Sequence, residues 1–391
     1  MSEKGSADGV LAARRVLDLT DEKGMFGSRL LADMGAEVIR LEKAGGDRTG
    51  RPVFEGNNLG KRSVTLNLEA EAGREIFRRL VKTTDVIVES CPPGYLGALG
   101  LGYAELSGIN PRLIMASITD FGQDGPYRDY QSADIVVSAL GGQMSVCGEP
   151  SLPPLKPFGH QAYNTAGLFA ANGIMLALWH RHTSGRGQYI DIAIQECVAA
   201  TLDHVLVRYF YQGEVARRQG SLHWNGAFRV FPCRDGYILL SLFQQWETLV
   251  EWLEAEGMAA DLTGEKWRDG GQRLAGLDHI IEVLERWTKS HTVAELVEKG
   301  QAMRLPWAEV TSIPGLLDSP QLKAREFFVN VEDGVSGRPY KFPGAPAKLS
   351  GSPWHVGPRA PSPGEDNMAV YHDELGLSVK EIETLTNDGV I

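Results

Sequence analysis

Short apolar runs alternate with amphipathic stretches along the first third of the chain. Five of the apolar runs are rich in β-branched and aliphatic residues, as buried strands are: Arg15–Leu19, Glu37–Leu41, Ser63–Leu68, Asp85–Glu89 and Leu113–Ser117. Between them, Gly27–Met34 and Glu71–Lys82 have the i, i+3, i+4 apolar spacing of amphipathic helices. Buried strands that alternate with helices predict an α/β fold with a parallel sheet covered on both faces.

The pattern changes in the second half of the chain. Thr165–His182 reads as a long helix rich in small residues, and Tyr189–Ile194 reads as a further strand. The runs Phe228–Pro232 and Tyr237–Leu242 flank Arg-Asp-Gly, which predicts a β-hairpin. Helical segments rich in Trp and Glu follow the hairpin. A second folded part of mixed α and β structure is therefore expected here.

These patterns predict three parts along the chain, since 391 residues exceed one ordinary core. Residues 1–224 form the N-terminal part of a large domain, and residues 225–325 form a smaller α+β domain. Residues 326–391 contain a Pro-rich stretch and a short amphipathic helix, Val379–Thr386. Because Pro-rich spans are extended, this last part is expected to be a strap that returns to the large domain.

Composition and charge exclude several classes of function. The net charge of −11 disfavours nucleic acid and anionic membranes as partners, because both bind basic surfaces. The four cysteines are far apart and form no CxxC pair, which indicates neither a metal site nor a disulfide framework. The opening segment lacks the apolar core of a signal peptide, so a cytoplasmic protein without a bound metal is expected.

The first turn between a strand and a helix, residues 19–24 (LTDEKG), lacks the GxGxxG pattern. A dinucleotide pyrophosphate needs those glycines for close approach to backbone N–H groups. The sequence also has no Walker A loop, HExxH or GxSxG motif. The sequence therefore disfavours nicotinamide- or flavin-dependent dehydrogenases.

Basic residues occur near the ends of two predicted strands. Arg40 and Lys43 are followed by Gly-Gly-Asp at residues 45–47, and the stretch 61–63 (KRS) precedes the third strand. Either segment is consistent with a phosphate site at the carboxyl edge of the sheet or with an ordinary solvated strand end. The residues alone leave both interpretations open.

Taken together, the segments resemble class III CoA-transferases. The chain contains, in the order found in that family, VLDLT, LLADMGAEVIRLE with GGD, GKRSVTLNL, DVIVES with PPG, LGLGYAELSGINPRLI, FGQDGPY, TAGLFAANGIMLAL, TSGRGQYIDIAIQE, FPCRDGYILLSL, PQLKAREFF, FPGAPAKLSG and ELGLSVKEIETL. The resemblance covers essentially the whole chain. It implies a Rossmann-like large domain formed by both chain ends, an inserted smaller α+β domain, an interlocked dimer, and coenzyme A or acyl-CoA as substrate.

In active members of this family an aspartate near the start of the long helix attacks the acyl-CoA thioester. Its carboxyl carbon then carries CoA as an aspartyl thioester, so the carboxylate is indispensable. The resemblance places Tyr163 at that position, and no Asp or Glu occurs between Glu149 and Asp191. A tyrosine has no acyl carbon and its phenol is a weak nucleophile at neutral pH, so no catalytic nucleophile is expected in this chain.

The resemblance also concerns the CoA pocket. It implies cofactor contacts at Arg40, Lys43, Leu66 and Cys91. In contrast, Glu69 stands where members often carry a lysine, and Ala98 stands where an arginine is common. These differences leave open whether this chain binds CoA or whether a partner subunit binds most of it.

Two more residues are candidates near the nucleophile position. Asp134 matches an acidic position of the family and could orient neighbouring groups or cap a helix. His160 could line the pocket, serve a structural role or act as a replacement base. The racemases of the family use a histidine that aligns with Ala133, so racemase activity lacks both of its groups here.

The sequence therefore predicts a non-catalytic subunit of a CoA-transferase that moves CoA between carboxylic acids. A paralogous chain would supply the aspartate, and succinyl-CoA with an aromatic succinate such as benzylsuccinate is one expected substrate pair. Two alternatives remain. One is a stand-alone binding or regulatory protein, and the other is a homodimeric acyl-CoA enzyme that uses another group, with His160 and Asp134 as candidates.

Overall fold

The computed structural model of the chain describes residues 9–45, 51–332 and 338–391. The strands are β1 (Arg15–Leu19), β2 (Glu37–Glu42), β3 (Arg62–Thr65), β4 (Val86–Glu89), β5 (Ile114–Thr119), β6 (Tyr189–Ala193), β7 (Phe228–Pro232), β8 (Tyr237–Ser241), β9 (Ala308–Glu309), β10 (Phe328–Glu332) and β11 (Pro339–Pro343). The α-helices are α1 (Met25–Asp33), α2 (Arg51–Asn57), α3 (Glu71–Val81), α4 (Tyr95–Ala98), α5 (Tyr103–Ile109), α6 (Asp134–Leu140), α7 (Gln161–Ser184), α8 (Ile194–Ala200), α9 (Asp203–Gln212), α10 (Trp246–Ala255), α11 (Gly270–Ala275), α12 (Leu277–Thr288), α13 (Val293–Ala302), α14 (Ile313–Asp318), α15 (Pro320–Ala324) and α16 (Val379–Asn387). Two short 3₁₀ segments (Gln143–Val146 and Glu265–Arg268) and a π-helical turn (Met368–Glu374) complete the set.

The central sheet has six strands in the order β3-β2-β1-β4-β5-β6, and all neighbours are parallel. This is the strand order of Rossmann-type folds, in which the direction of winding reverses between β1 and β4. The α/β class and the Rossmann-like sheet are thereby confirmed. Ligands of such sheets bind beyond the carboxyl ends of the strands at that reversal.

The strands form here because both of their faces are buried. Successive side chains of a strand point to opposite faces, and Val16 and Leu17 of β1 accordingly belong to two different apolar cores. The core on the Val16 side includes apolar residues of α1 and α7, whereas the core on the Leu17 side includes Phe77 of α3 and Tyr371 near the C-terminus. Continuous apolar strands are therefore required, as the sequence predicted.

Helices α1 and α7 approach each other closely at two glycines. A Cβ atom on Gly167 would lie 2.9 Å from the backbone nitrogen of Gly27 and 3.1 Å from Cδ1 of Phe26. A Cβ atom on Gly27 would in turn lie 3.0 Å from the carbonyl oxygen of Gly167. Glycine at both positions lets α7, which begins at the carboxyl edge of the sheet, pack directly on α1.

We expect Gly167→Ala to lower the free energy of unfolding by about 1–3 kcal/mol, because the methyl group would push the two backbones apart. The matched control is Gly173→Ala on the same helix, where a Cβ would meet Ile190 only at 3.5 Å. The control should stabilise the protein by up to about 1 kcal/mol through helix propensity. Urea unfolding measures both, and equal effects of the two substitutions would contradict the close approach.

The C-terminal part of the chain covers the edge strand β3. Asp366 accepts a hydrogen bond from the backbone N–H of Ser63 at 2.8 Å, and Asn367 accepts one from that of Thr65 at 2.9 Å. The hydroxyl of Tyr371 donates to the carbonyl oxygen of Thr65 at 2.8 Å. An open strand edge has unpaired backbone groups, and here both ends of the chain together complete the large unit.

The chain divides into two compact units. The larger unit comprises the described residues within Met1–Met144, Lys156–Val215 and Pro320–Ile391, and the smaller comprises Ser145–Leu155 and Ala216–Ser319. The smaller unit contains the antiparallel sheet β7-β8-β9 and the helices α10 to α14, which confirms a smaller α+β part. Its core contains Trp252 and Trp287, whose indole N–H groups each donate to the Glu256 carboxylate at 2.7 Å.

The described residues contain neither a helix suited to cross a membrane nor a cluster of side chains suited to hold a metal ion. None of the helices in the described ranges has the length and apolar character needed to cross a membrane. Within the same ranges, no group of three or more His, Cys, Asp and Glu side chains is arranged to hold a metal ion. All four cysteines of the chain are free thiols.

Candidate functional site

A cavity of about 440 Å³ lies at the carboxyl ends of β1, β4 and β5 in the larger unit. The loop after β1 contributes Asp21 and Lys23, and the loop after β4 contributes residues 90–93. The last residue of β5, Thr119, also lines the cavity, and the segment after β5 contributes Asp120 and residues 128–132. The cavity therefore occupies the reversal of the sheet, where α/β proteins bind their ligands.

The loops after β1 and β4 are held together by reciprocal hydrogen bonds. The backbone N–H of Asp21 donates to the Ser90 hydroxyl at 2.8 Å, and that hydroxyl donates to the Asp21 carboxylate at 2.7 Å. The Lys23 ammonium forms an ion pair with the same carboxylate. These contacts place one positive and one negative charge on the wall of the cavity.

The thiol of Cys91 also lines the cavity. The buried carboxylate of Glu89 accepts a hydrogen bond from the Cys91 backbone N–H at 2.6 Å. Burial, together with the negative charge of Glu89, raises the pKa of the Cys91 thiol to about 12. Because the thiolate is the nucleophilic form, Cys91 is suited to contact a ligand and unsuited to attack one.

Tyr163 lies in the first turn of α7, since the helix begins at Gln161 and not at Thr165 as the sequence suggested. Its backbone N–H donates to the Asp134 carboxylate at 3.1 Å, so Asp134 caps α7 from the start of another helix, α6. The ammonium of Lys156 lies 2.9 Å from the other oxygen of that carboxylate. The family's acidic position thus has a helix-capping role here, and Lys156 is a site residue that no local sequence motif indicated.

The side chain of Tyr163 is only 8% exposed and belongs to the apolar core. Burial raises the pKa of its phenol above the usual value, and the nearby carboxylates of Asp120, Asp134 and Asp21 raise it further. The phenol therefore stays protonated at neutral pH. Protonated and buried, it has even less nucleophilic character than a tyrosine in water.

The ring of His160 packs edge-on against that of Tyr163, with 5.7 Å between the ring centroids. Asp134 directs its oxygens at Lys156 and at the backbone of Tyr163. Within the described part of the chain, the His160 imidazole makes no hydrogen bond to Asp134. The structure brings the three residues together without assembling an acid–base pair.

The four residues expected to contact the cofactor lie in different environments. Cys91 lines the cavity, as described above, whereas Leu66 is a buried core residue. Lys43 is 70% exposed, and its ammonium lies 3.9 Å from the Glu69 carboxylate. The adjoining residues 46–50, including two of the Gly-Gly-Asp motif, lie outside the described ranges.

Arg40 is buried beneath the carboxyl edge of the sheet. Its guanidinium donates to the carbonyl oxygen of Thr20 at 2.9 Å and lies 3.8 Å from the Asp18 carboxylate. It also lies over the Phe54 ring, at 5.2 Å from the centroid. These contacts occupy Arg40 within the protein interior, so its placement supports a structural role for this side chain.

Lys61 is fully buried. The sequence alone had left two interpretations open for this stretch, a phosphate site or a solvated strand end. The Lys61 ammonium lies 2.7 Å from the Asp18 carboxylate and donates to Ser28 and Asn58, each at 2.8 Å. Burial lowers the pKa of Lys61 to about 8, although the Asp18 charge opposes this. Burial by itself would raise the pKa of Asp18, but the charges of Lys61 and Arg40 outweigh it and hold that pKa below its usual value.

Comparisons with known proteins agree with the motifs. A model of CoA-transferase family III matches residues 11–367 of the chain. The chain is 35% identical over 400 residues to subunit BbsE of succinyl-CoA:(R)-benzylsuccinate CoA-transferase from Thauera aromatica, across 96% of this chain and 97% of that protein. It is 33% identical over 397 residues to the beta subunit of succinyl-CoA–L-malate CoA-transferase from Chloroflexus aurantiacus, across 97% of this chain and 98% of that protein.

Solved structures show the same relationship. A crystal structure of a CAIB/BAIF family protein from Brucella suis superimposes with a TM-score of 0.83 at 29% sequence identity. The match covers 94% of this chain and 99% of that chain. The likeness therefore extends over both compact units and is not restricted to the Rossmann-like sheet.

Proposed function

We propose, from the premise that this chain belongs to CoA-transferase family III, that it is the subunit without a nucleophile in an enzyme built from two related chains. The observation that carries the proposal is Tyr163 in the first turn of α7, at the position that the family resemblance assigns to the catalytic aspartate. A phenol cannot become an acyl thioester. A paralogous chain then supplies the carboxylate that attacks the acyl-CoA.

The surroundings of Tyr163 support this role. Cys91 and Tyr163 both have raised pKa values, and the Asp134 carboxylate is engaged by Lys156 and by the N-terminus of α7. None of the three is placed as a ready nucleophile. A homodimeric enzyme that uses His160 and Asp134 gains no support, because these two side chains do not form a working pair.

The substrates of the proposed enzyme are an acyl-CoA and a free carboxylic acid. Two relatives described above are named as subunits of enzymes that use succinyl-CoA, so succinyl-CoA is the proposed CoA donor. The relative from Thauera acts on benzylsuccinate, and an aryl-substituted succinate is the proposed acceptor. The paralogous subunit would bind most of the CoA, since Lys43 here is turned to solvent beside Glu69.

A second chain is also supported by apolar surface on the larger unit. The last turns of α9 expose aromatic rings, with Tyr209, Phe210 and Tyr211 at 54%, 75% and 86% exposure. On α7, Leu176 and Trp179 are likewise exposed. Single exposed apolar residues are common, but a helix that is apolar on several sides is normally enclosed by protein. We propose that the paralogous chain covers these residues in an interlocked dimer.

Co-expression with an aspartate-bearing paralogue is expected to give a complex that contains equal amounts of the two chains, as native mass measurement would show. Phe210→Asp should weaken the complex by roughly 30-fold or more, because it places a charge in an apolar interface. The control is Ile313→Asp, at a similarly exposed apolar position of α14, which should leave assembly intact. A stable homodimer that ignores the paralogue would contradict the proposal and favour a stand-alone regulatory protein.

A further inference from the structure

Residues 353–360, within the Pro-rich part of the chain, dock on the larger unit through two backbone hydrogen bonds. The backbone N–H of His355 donates to the carbonyl oxygen of Asp33 at 2.9 Å, and that of Gly60 donates to the carbonyl oxygen of Pro358 at 2.8 Å. The 353–360 segment has no helix or strand of its own. Such stretches open and close at a low free-energy cost, so a single buried group can decide how firmly this one docks.

The carboxylate of Asp33, the last residue of α1, is buried close to this docking contact. Its Oδ2 lies 3.3 Å from Nε of Arg29, one helical turn earlier, but these two atoms form no hydrogen bond. Oδ1 of Asp33 has no hydrogen-bond partner among the described residues. A buried carboxylate with such incomplete pairing is costly in its charged form.

Trp354 connects the 353–360 segment to this carboxylate. Its ring packs against the apolar core that includes residues of α1. Its indole N–H lies close enough to the Asp33 carboxylate to favour the charged form, although it makes no hydrogen bond of normal geometry to a described residue. The segment therefore encloses the carboxylate when it docks, and the carboxylate becomes hydrated when the segment leaves.

Two cations act on Asp33, and each is also engaged elsewhere. The Arg29 guanidinium donates through Nη1 to the carbonyl oxygen of Gly56 at 2.6 Å. The Lys61 ammonium lies 2.7 Å from the Asp18 carboxylate. Burial therefore outweighs both positive charges and raises the pKa of Asp33 to about 6.

The other elements packed at this point leave Asp33 as the group that docking buries. Helix α7 packs on α1 through Gly167 and Ala170, which do not titrate. The 353–360 segment itself carries His355, whose side chain is exposed, and Arg359, which forms an ion pair with Glu365. A change of docking with pH in the weakly acidic range is therefore assigned to Asp33.

We propose that Asp33 is a pH-sensitive clasp, which makes the 353–360 segment dock more tightly in weakly acidic solution than at neutral pH. The docked segment favours the neutral carboxyl. With the segment undocked, the hydrated carboxylate ionises near its usual pKa of 3.8. The docked state thus binds more protons than the undocked state in the range between the two pKa values, and docking strengthens as the pH falls from about 7 toward about 4.

The test is amide hydrogen exchange of the protein as it purifies, together with its partner subunit where one co-purifies, at pH 7 and at pH 5. The rates are corrected for the intrinsic pH dependence of exchange and are read at the amides of His355 and Gly60, which close the docking contact. Protection of both amides should rise about tenfold from pH 7 to pH 5, because Asp33 takes up its proton in this range.

Two variants separate the charge of Asp33 from the packing of the segment. Asp33→Asn replaces the carboxyl group by a neutral amide of similar shape, so it should abolish the pH dependence at both amides. Trp354→Phe keeps an aromatic ring and removes the indole N–H. It should lower protection more at pH 7 than at pH 5, because the charged carboxylate depends on that donor more than the neutral carboxyl does.

Glu285→Gln is the matched control, because Glu285 and Lys289 form an i, i+4 ion pair as Arg29 and Asp33 do, but an exposed one. It should leave the pH dependence at both amides unchanged. A rise of about tenfold that persists in Asp33→Asn would overturn the proposal. Equal losses of protection at both pH values in Trp354→Phe would do the same, and so would constant protection of the original protein between pH 7 and pH 5.

Discussion

Purified without a partner subunit, the chain is expected to transfer no CoA between succinyl-CoA and any carboxylic acid. The reason is chemical, because Tyr163, at the position that the family resemblance assigns to the aspartate, has no carboxyl carbon to carry the thioester. Burial and the neighbouring carboxylates also raise the pKa of the Tyr163 phenol and keep it protonated. Thioester exchange followed by chromatography measures the result, and a turnover above roughly 1 s⁻¹ would fall in the ordinary enzyme range and refute the prediction.

Two variants at the same position sharpen this experiment. Tyr163→Phe removes only the hydroxyl, so the complex with the aspartate-bearing chain should keep its activity within about threefold. Loss of that activity would show that the phenol takes part in the reaction. Tyr163→Asp should leave the isolated chain inactive, since the new carboxylate would be buried near Asp134 and Asp120. Transfer by the isolated chain would also require Glu69→Lys and Ala98→Arg, which would restore the CoA contacts that the family resemblance implies.

Removal of the buried ammonium by Lys61→Met should lower the free energy of unfolding by about 3–5 kcal/mol. The substitution would leave the Asp18 carboxylate fully buried without its closest cation, at 2.7 Å, and an uncompensated buried charge is strongly destabilising. Urea unfolding followed by circular dichroism gives the value. Such a loss is a large fraction of the stability of an ordinary domain.

Lys289→Met is the control for the loss of a lysine. Lys289 forms an exposed ion pair with Glu285 at 2.6 Å, and exposed pairs contribute only about 0–1 kcal/mol. The double variant Asp18→Asn with Lys61→Met should recover part of the stability, because both buried charges are then removed. If Lys61→Met costs no more than Lys289→Met, the buried pair does not stabilise the fold.

The acid-side pH dependence that Asp18 contributes has a definite sign. The pKa of Asp18 is held below its usual value of 3.8, so the folded chain releases this proton more readily than the unfolded chain. The resulting stability is fully present above that usual value and is lost as the pH falls toward the folded pKa. The loss of stability at acid pH should be smaller in the double variant Asp18→Asn with Lys61→Met, which contains neither charge.

The local pattern of apolar residues predicted the elements of the large sheet well. β1 has the predicted bounds, Arg15–Leu19, and β4 differs from its prediction only at the first residue. Such runs are informative because a strand buried on both faces tolerates few polar side chains. The start of α7 was predicted four residues late, since its cap is Asp134 from a distant element and not a neighbour in sequence.

The candidate site was harder to predict from the sequence than the elements of the sheet. The proposed replacement of the nucleophile by Tyr163 comes from the sequence and the family resemblance alone, because it concerns the type of residue at one position. The cofactor contacts expected at Arg40 and Leu66 remain predictions, and the structure places both residues in the interior. A pattern of charges near strand ends does not tell which of them face solvent.

The sequence by itself determined the α/β class, the parallel sheet, the membership in a family of CoA-transferases and the absence of a carboxylate at position 163. Each of these follows from residue types and their order along the chain. Only the tertiary structure decided that Lys61 is buried against Asp18, that Lys156 pairs with Asp134, and that Arg128 and Tyr130 share one cavity. The two ion pairs join residues from different elements of the chain, and whether a charge meets solvent or a partner depends on how those segments pack.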